Sequence, residues 1–441
     1  MDSLKENDTY ELTQLPEGRS AVGGRWIYTV KSSPNSDEKF KARYVAKGYA
    51  QVRDLDYHET FSPTARITSI RMLLQLALQE NLIVHQMDVS SAYLNAPIDC
   101  EIFVDQPEGF EQYDRNGKKL FFRLKKSIYG LKQSGRNWYE LLHNFLLKEN
   151  FDMSLADSCV YSKKVGNLKI IIIFWVDDII IACSNEQLLN DTKRSLCQNF
   201  RMKDFGKLSW FLGIEFKQDS EKFVMVQTRY IEKLLNRFNM KDCKPKATPC
   251  DLCVSKVMVS DSEKLPDPRL YREVVGSLIY VMTCTRPDLC YIVTKLSQNM
   301  CDPTKAHLNM AKHVLRYLKG TLNIGLTFRK QKSEILGLQG FCDSDWGASS
   351  DRRSITGYGF SLCKKGPLIS WKSRKQQIVA LSTCEAEYVA LTSAIQEAKF
   401  LSQLLVDMNG GAKSKVILNV DNQGAICLAK NPVHHQRTKL M

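Results

Sequence analysis

The sequence predicts an α+β fold in which strands and helices alternate along the chain. Residues 170–182 read IIIIFWVDDIIIA, and so many β-branched side chains in a short run indicate buried strands. Before them, the apolar residues from Ile70 to Leu78 recur at helical spacing. Toward the C-terminus, three strand-like runs precede a long helical pattern and one more strand. No internal repeat is evident, so we expect both element types without a repeated unit.

The first part of the chain, residues 1–240, is expected to contain hairpins and a helix. Residues 26–30 and 40–45 alternate like paired strands across residues 34–37, which read PNSD. Asn116 and Gly117 predict a second turn, between Phe110 and the apolar residues 120–122. The helical pattern that follows places five apolar residues on one face: Trp138, Leu141, Leu142, Phe145 and Leu146.

Residues 241–334 are expected to form a linker followed by helices. Residues 241–268 are rich in Lys, Pro, Ser and Asp and have no regular period. Asp302 is predicted to be the N-cap of a helix that has Pro303 at its first position and ends at Gly320. The apolar face of this helix would consist of Leu308, Ala311, Leu315 and Leu318.

Residues 335–441 are expected to form a small α/β unit. Residues 335–342, 355–362 and 368–371 are predicted to be three successive strands. A helix is predicted over residues 384–408, followed by Gly410 and Gly411. A fourth strand, residues 416–420, ends at Asp421.

Two adjacent carboxylates, Asp177 and Asp178, interrupt the apolar run at residues 170–182. Burying a carboxylate is unfavourable unless positive charge neutralises it, so we expect a hairpin with the pair at its wet tip. Oxygen ligands clustered in this way suit Mg²⁺. The alternative is a surface turn that happens to contain two aspartates.

A third carboxylate, Asp88, follows a short strand-like run at residues 83–87. Three such carboxylates can hold the two metal ions that stabilise both the attacking and the leaving oxygens in nucleotidyl transfer. Tyr93, five residues later, could place its ring beside a nucleotide sugar and exclude a 2′-hydroxyl. The alternative for Tyr93 is an ordinary core aromatic.

The composition is that of a globular protein with an excess of positive charge. The chain of 441 residues has a net charge of +14, which favours a polyanionic partner such as nucleic acid, although surplus lysine is also a common solvated surface. The fourteen cysteines are scattered and lack zinc-site spacing, so we interpret them as reduced core residues of an intracellular protein. Residues 1–25 are polar, and the run at residues 170–182 is too short to span a bilayer. We therefore expect a soluble protein that is neither secreted nor bound to a membrane.

Motifs along nearly the whole chain resemble one known family. The first set comprises KARYVAKGYAQ (41–51), ETFSPTARI (59–67), HQMDVSSAYLNA (85–96), PEGF (107–110), SIYGLKQSGRNWY (127–139), WVDD (175–178) and FLGIEF (211–216). The second set comprises DSDWGASSDRRSITGY (343–358), ISWKSRKQ (369–376), STCEAEYVAL (382–391) and VDNQGAI (420–426). In content and order they resemble the reverse transcriptase and ribonuclease H region of the Pol polyprotein of copia-type (pseudovirus-like) LTR retrotransposons.

This resemblance implies a right-hand polymerase followed by a truncated ribonuclease H-like α/β domain. Fingers and palm would occupy residues 1–240, a linker with thumb and connection residues 241–334, and the ribonuclease H-like domain residues 335–441. The implied activity is RNA-directed DNA polymerase (reverse transcriptase), with Asp88, Asp177 and Asp178 as catalytic metal ligands.

The resemblance also implies a second catalytic centre, for ribonuclease H. Asp343 at a first-strand end, Glu387 near a helix start and Asp421 at a fourth-strand end match the order of carboxylates in that fold. They would hold two ions and hydrolyse the RNA strand of an RNA–DNA hybrid. Each of the two active sites would therefore use two Mg²⁺ (or Mn²⁺) ions. Asp345 is a weaker candidate.

Further roles follow from the same resemblance; the alternative for Lys41 and Arg43 is a solvated strand face, and that for the hairpin of Gly213 is an ordinary buried turn. Lys41 and Arg43 alternate on one strand face and would hold the triphosphate of the incoming nucleotide. Gln133, near Gly130, would line the nucleotide pocket. Trp175 stands where the family usually has Tyr beside the primer. Gly213 belongs to a segment that resembles the primer-gripping hairpin.

The two ends of the chain depart from the family pattern. A further acidic or histidine residue is expected after an RTKH-like run, but the chain ends after Arg437-Thr438-Lys439 with Leu440 and Met441. We therefore expect an incomplete ribonuclease H domain with impaired activity. Residues 1–25 resemble the middle of a polyprotein.

The expected partners are an RNA template, a DNA primer, RNA–DNA hybrids and deoxynucleoside triphosphates. The expected location is intracellular, in cytoplasmic virus-like particles and in the nucleus, and the sequence predicts no oligomeric state. The alternative function is that of a catalytically inactive retrotransposon relic, or a domesticated nucleic-acid-binding protein.

Overall fold

The computed structural model describes residues 1–33, 36–251, 262–331, 337–347, 351–411 and 415–430. The chain forms two compact units. Residues 1–65 and 85–206 make the first unit, and residues 66–84 and 207–441 make the second. None of the described helices is both long enough and apolar enough to cross a bilayer.

The described strands and helices confirm the mixed α and β content. In chain order the strands are β1 (Tyr10–Thr13), β2 (Gly24–Ser33), β3 (Ser36–Ala46), β4 (Ile83–Val89), β5 (Phe103–Val104), β6 (Phe121–Leu124), β7 (Asp152–Met153), β8 (Val160–Val165), β9 (Leu168–Trp175), β10 (Asp178–Cys183), β11 (Met202–Lys207), β12 (Trp210–Phe211), β13 (Ile214–Gln218), β14 (Lys222–Val226), β15 (Leu326–Arg329), β16 (Leu338–Asp345), β17 (Ile355–Ser361), β18 (Ser370–Lys375) and β19 (Val416–Asn419). The helices are α1 (Asp2–Glu6), α2 (Ile67–Glu80), α3 (Ser134–Lys148), α4 (Glu186–Asn199), α5 (Thr228–Arg237), α6 (Arg269–Cys284), α7 (Cys290–Ser297), α8 (Lys305–Gly320), α9 (Thr383–Met408) and α10 (Gln423–Lys430).

The first unit is organised around a six-stranded sheet with the order β11-β4-β10-β9-β8-β7. The central strands β9 and β10 form an antiparallel hairpin, and their apolar side chains are almost fully buried. Burial of these side chains is the main favourable term in forming the sheet. A smaller sheet, β1-β6-β5, and the β2–β3 hairpin complete the strands of this unit.

The second unit combines a helical core with two four-stranded sheets. Helices α5 to α8 bury a shared apolar cluster, which includes Tyr271, Leu278 and Leu315. One sheet has the order β12-β13-β14-β15 and the other β18-β17-β16-β19. In the second sheet only β19 runs parallel to its neighbour, β16, and α9 packs on β16 and β17.

Several local predictions are confirmed. Strands β2 and β3 pair with Trp26 opposite Tyr44, although Pro34 and Asn35 of the predicted turn lie outside the described residues. The turn at Asn116-Gly117 closes with a hydrogen bond from the Gly117 amide to the Asp114 carbonyl. The predicted face of α2 is buried, whereas in α3 Trp138, Leu142 and Leu146 are buried and Leu141 and Phe145 are half-buried.

The predicted N-cap of α8 is wrong. This helix begins at Lys305 rather than at Pro303, and its N-cap is Thr304, which forms a capping box with His307. Asp302 instead forms an ion pair with Lys264 at 2.6 Å. The helix starts late because Pro303 and Thr304 are held in extended backbone by bridging bonds to residues 264 and 265.

Some other predictions need correction or fall outside the described residues. Strand β16 continues to Asp345, so Asp343 lies within the strand, because the ladder with β17 extends to the pair Asp345–Ile355. The described cysteines are free thiols, but not all are core residues, since Cys197, Cys301 and Cys427 are exposed. The run at residues 437–441 lies outside the described residues.

Candidate active sites

The first candidate site is the tip of the β9–β10 hairpin. Trp175 pairs with Asp178, so Val176 and Asp177 form a two-residue turn, and both aspartates are half-buried at the end of an otherwise buried hairpin. Val176 has a φ of +57°, a conformation that β-branched residues rarely adopt. The prediction of a hairpin with the aspartates at its tip is confirmed.

Asp88 reaches the same place from β4, the strand beside β10. The amide of Val89 donates a hydrogen bond of 2.8 Å to the carbonyl of Asp177, which brings the third carboxylate to the turn. Asp88 is half-buried, like the other two aspartates. Three hard oxygen donors at a partly wet edge are the kind of ligand set that divalent cations take.

Aromatic rings and an arginine line the space beside these carboxylates. The rings of Tyr93 and Tyr129 lie 4.9 Å apart, and the guanidinium of Arg43 lies over the Tyr129 ring at 5.2 Å. Burial, together with the nearby charge of Asp177, raises the pKa of Tyr93. Tyr93 is therefore a neutral ring close to the carboxylates rather than a remote core aromatic.

Lys41 and Arg43 are two residues apart in β3, so their side chains project from the same face of that strand, as predicted. Both residues line a cavity of about 130 Å³ next to Tyr129. Ser91, three residues after Asp88, lines the same cavity. Positive side chains from β3 and the segment after Asp88 therefore border one space.

Unlike the side chains of Lys41 and Arg43, that of Gln133 does not line this cavity. Its side chain is fully buried and bonded to the protein: it donates to the Asp56 carbonyl at 2.7 Å and accepts from Gln51 at 3.0 Å. Gly130 has a φ of +95°, and a β-carbon there would overlap the carbonyl oxygen of Ala46. The backbone at Gly130 therefore approaches β3 closely.

Trp175 and Gly213 occupy separate hairpins. Trp175 is the half-buried last residue of β9. Gly213 lies in the second unit, in the turn between β12 and β13, where Leu212 and Gly213 both have positive φ. The hydroxyl of Tyr280 donates a hydrogen bond to the Leu212 carbonyl and holds this turn.

A second group of carboxylates forms the other candidate site. Asp343 in β16, Glu387 in α9 and Asp421 after β19 each offer an oxygen, and these oxygens lie within 4.8 Å of one another. The parallel pairing of β16 with β19 and the packing of α9 on β16 bring the three together. Among the described residues no other three possible ligands are this close, so Asp88, Asp177 and Asp178 form a looser group.

Glu387 is the most unusual member of the second group. Its Oε1 accepts a hydrogen bond of 2.9 Å from the Ser344 amide, whereas its buried Oε2 has no hydrogen-bond partner. Burial, together with the charges of Asp343 and Asp421, raises the pKa of Glu387 to about 7. A buried carboxylate oxygen without a partner, facing two other carboxylates, fits a divalent cation. Asp345 stands apart from the group and accepts a hydrogen bond from the Ile355 amide at 2.6 Å.

Two side chains near the first site make contacts that the sequence pattern did not predict. Trp138 was recognised only as part of an apolar helix face, yet its indole N–H reaches the Val176 carbonyl at 2.7 Å. Tyr129, within the motif SIYGLKQSGRNWY, contacts both Arg43 and Tyr93. A polar atom on an otherwise apolar face is the signal that could have marked Trp138.

Comparisons with known proteins agree with this arrangement. A family model described as reverse transcriptase (RNA-dependent DNA polymerase) matches residues 7–252. The retrovirus-related Pol polyprotein from transposon TNT 1-94 of Nicotiana tabacum is 38% identical over 100% of this chain and 33% of its own length. That from transposon RE2 of Arabidopsis thaliana is 40% identical over 98% of this chain and 29% of its own length. The chain thus spans about a third of the length of these relatives.

A solved structure supports the fold. The foamy viral protease–reverse transcriptase in complex with double-stranded DNA aligns over 100% of this chain and 64% of its own, with a TM-score of 0.50 and 12% identity. At that identity the likeness concerns the fold alone. The family match, the relatives that align with nearly the whole chain and the common fold agree with one another. The chain therefore belongs to the reverse transcriptase (RNA-dependent DNA polymerase) family, of the kind found in the copia-type Pol polyproteins of plant transposons.

Proposed function

We propose that this chain is an RNA-directed DNA polymerase that extends a DNA primer on an RNA template by two-metal-ion nucleotidyl transfer. The observation that carries the proposal is the meeting of Asp88 with Asp177 and Asp178 at the tip of a buried hairpin. These three carboxylates would hold Mg²⁺ (or Mn²⁺). When bound, the ions lower the pKa of the primer 3′-hydroxyl and neutralise the leaving pyrophosphate.

The side chains around the carboxylates would orient the incoming deoxynucleoside triphosphate. Arg43 can bind phosphate oxygens with its forked donors, and its position over Tyr129 limits the directions in which the guanidinium can point. Lys41, which borders the same cavity, would add a point charge. Tyr93 would lie against the sugar and exclude a 2′-hydroxyl. Gln133 would act by holding the pocket wall, since its amide is already bonded within the protein.

Primer contacts are proposed for two hairpin residues. Trp175 precedes the catalytic turn and would contact the primer end with its ring, without the hydroxyl that the family usually has there. Gly213 would let the β12–β13 turn approach the primer backbone, because it has no side chain and a φ of +75°.

We further propose ribonuclease H activity for the second group of carboxylates. Asp343, Glu387 and Asp421 would hold two ions for cleavage of the RNA strand in RNA–DNA hybrids, and the unpartnered oxygen of Glu387 supports this use. The corresponding domain division is fingers and palm at 1–240, linker, thumb and connection at 241–334, and a ribonuclease H-like domain from 335.

Primer extension by the purified 441-residue chain tests the polymerase proposal. A DNA primer on an RNA template is incubated with the four deoxynucleoside triphosphates and either Mg²⁺ or Mn²⁺. Asp177→Asn is expected to abolish extension, whereas Asp152→Asn, an exposed change on edge strand β7 of the same sheet, is expected to leave it intact. A folded chain that binds template but does not extend the primer in either metal would contradict the proposal and leave the nucleic-acid-binding relic.

Cleavage of a labelled RNA–DNA hybrid tests the ribonuclease H proposal separately. Glu387→Gln is expected to abolish cleavage and keep extension. Glu385→Gln, two residues away in the same helix and outside the carboxylate group, is expected to keep both activities. Cleavage that persists in Glu387→Gln would rule out this site.

The proposed location is intracellular, in cytoplasmic virus-like particles and in the nucleus. Sedimentation of cell extracts, with the chain followed by antibody, checks this. We expect a particulate cytoplasmic fraction and a nuclear fraction, and finding the chain only among secreted proteins would contradict the proposal.

A further inference from the structure

The turn that carries Asp177 is held from behind by the side chain of Trp138. This tryptophan comes from α3, is 1% exposed and donates its indole N–H to the Val176 carbonyl at 2.7 Å. Its ring packs edge-on against Phe200, with centroids 5.3 Å apart, so the indole has little freedom to turn. The donor therefore sits in a fixed place beneath the turn.

The turn needs such support because its own residues disfavour it. In two-residue hairpin turns with positive φ at the first central position alone, glycine is the preferred residue there. This chain has Val176 at that position, with a φ of +57°. A β-branched residue in this region is strained, and such strain persists only where surrounding structure imposes it. The hydrogen bond from Trp138 is a contact of the required kind, because it fixes the carbonyl whose direction depends on that backbone conformation.

We propose that Trp138 is a positioning residue, which holds the Val176–Asp177 turn in its strained conformation and so orients the Asp177 carboxylate toward a divalent cation. The inference rests on the proposed two-metal function of this site. Phenylalanine at this position would keep a smaller aromatic ring and lack the donor, and the role proposed here belongs to the indole N–H that reaches the Val176 carbonyl.

The test compares two substitutions that each remove one buried hydrogen bond. Trp138→Phe removes the bond to Val176. Tyr161→Phe is the matched control, since the buried Tyr161 hydroxyl bonds to His143 at 2.6 Å in the same unit, away from the turn. Both are made in a chain that also carries Asp343→Asn and Glu387→Gln, so that Mn²⁺ binding reports the first site alone. The readouts are Mn²⁺ affinity by electron paramagnetic resonance, kcat and KM for extension, and thermal melting.

We expect Trp138→Phe to weaken Mn²⁺ binding and to lower kcat, each about tenfold. A tenfold change corresponds to the free energy typically lost when a buried carbonyl is left without its hydrogen-bond donor. KM for the nucleotide and melting temperature should match those of Tyr161→Phe. Val176→Gly relieves the strain, so adding Trp138→Phe to a Val176→Gly chain should cost about threefold or less.

Three results would overturn the inference. The first is equal Mn²⁺ affinity in Trp138→Phe and Tyr161→Phe. The second is a loss of Mn²⁺ affinity from Trp138→Phe that is as large in the Val176→Gly chain as in the chain with Val176. The third is a parent chain that binds no Mn²⁺. A parent that binds Mn²⁺ but does not extend primers would instead contradict the proposed function, and the affinity comparison would still decide the role of Trp138.

Discussion

At the scale of single residues, the buried charge of Arg286 is satisfied by specific partners. Arg286 is fully buried in the second unit and forms a bidentate pair with Asp288, whose nearest oxygen is 2.7 Å away. The same guanidinium donates to the carbonyl of Thr321 at 3.0 Å, and Tyr317 donates to Asp288. Such a network is expensive to break, because removing one member leaves another polar group buried without a partner.

We predict that Arg286→Met lowers the free energy of unfolding by roughly 3 kcal/mol, since a buried pair that loses one partner typically costs this much. Urea denaturation followed by circular dichroism checks the value. Arg269→Met is the control, because Arg269 forms an exposed pair with Asp267 and should change the stability by less than about 0.5 kcal/mol. Equal losses in the two variants would contradict this explanation.

A second prediction concerns pH and the network of Asp204 in the first unit. Burial acts to raise the pKa of Asp204, but the hydrogen bond and charge of Lys193 outweigh it and hold the pKa below its usual value. Lys193 also contacts His85 at 2.6 Å. A carboxylate with a lowered pKa in the folded state stabilises the protein above its unfolded pKa and loses that contribution as the pH falls.

Stability of the wild-type chain should therefore fall between about pH 5 and pH 3, and Asp204→Asn should make this part of the profile flatter. Urea midpoints measured at intervals across that range check the prediction. Asp152→Asn, at an exposed position, should leave the profile unchanged. A slope as steep in Asp204→Asn as in the wild type would show that Asp204 is not the responsible group.

At the scale of elements, helix ends depend on which side chain can reach the free backbone amides. In α8, Thr304 accepts from the His307 amide, and the His307 ring accepts from the Thr304 amide at 3.0 Å. Asp302, a residue type that often caps helices, is two positions too early, because residues 303 and 304 are held in extended backbone. The contacts with residues 264 and 265 therefore determine which residue caps α8, and residue preference alone does not.

We predict that Thr304→Ala destabilises the protein by about 1 kcal/mol, the usual cost of losing an N-cap. Asp302→Ala should cost less than about 0.5 kcal/mol, since only an exposed ion pair with Lys264 is lost. Hydrogen exchange of the first-turn amides of α8, together with thermal melting, distinguishes the two. A larger loss of stability from Asp302→Ala than from Thr304→Ala would indicate that Asp302 is the N-cap, as the sequence predicts.

At the scale of the whole molecule, the net charge of +14 governs how the chain would meet nucleic acid. Binding that neutralises six to ten phosphates typically weakens by about 10³- to 10⁵-fold between about 50 and 200 mM salt. We predict a dependence of this size for an RNA–DNA hybrid, measured by fluorescence anisotropy over a salt series. Asp177→Asn should give the same slope, because the proposed role of that residue is to hold a metal ion rather than to contact phosphates. Binding that hardly changes with salt would contradict an electrostatic interface.

The sequence by itself determined the family, the mixed α and β content and the place of Asp177 and Asp178 at the tip of a hairpin. These follow from local signals: β-branched runs around Asp177 and Asp178, helical periods in α2 and α3, and motifs in family order. These patterns can be read from the sequence because the spacing of apolar residues matches the period of the strand or helix that buries them.

Only the tertiary structure decided which groups meet. Asp343, Glu387 and Asp421 lie far apart in sequence and converge because β16, α9 and β19 pack together. Trp138 reads as a core residue until α3 is placed beneath the turn at Val176. The strained φ of Val176 and the capping of α8 by Thr304 likewise depend on contacts that local preference opposes or cannot predict. Packing between distant segments overrides residue propensity at these positions, because the free energy of several buried contacts exceeds that of one unfavourable backbone conformation.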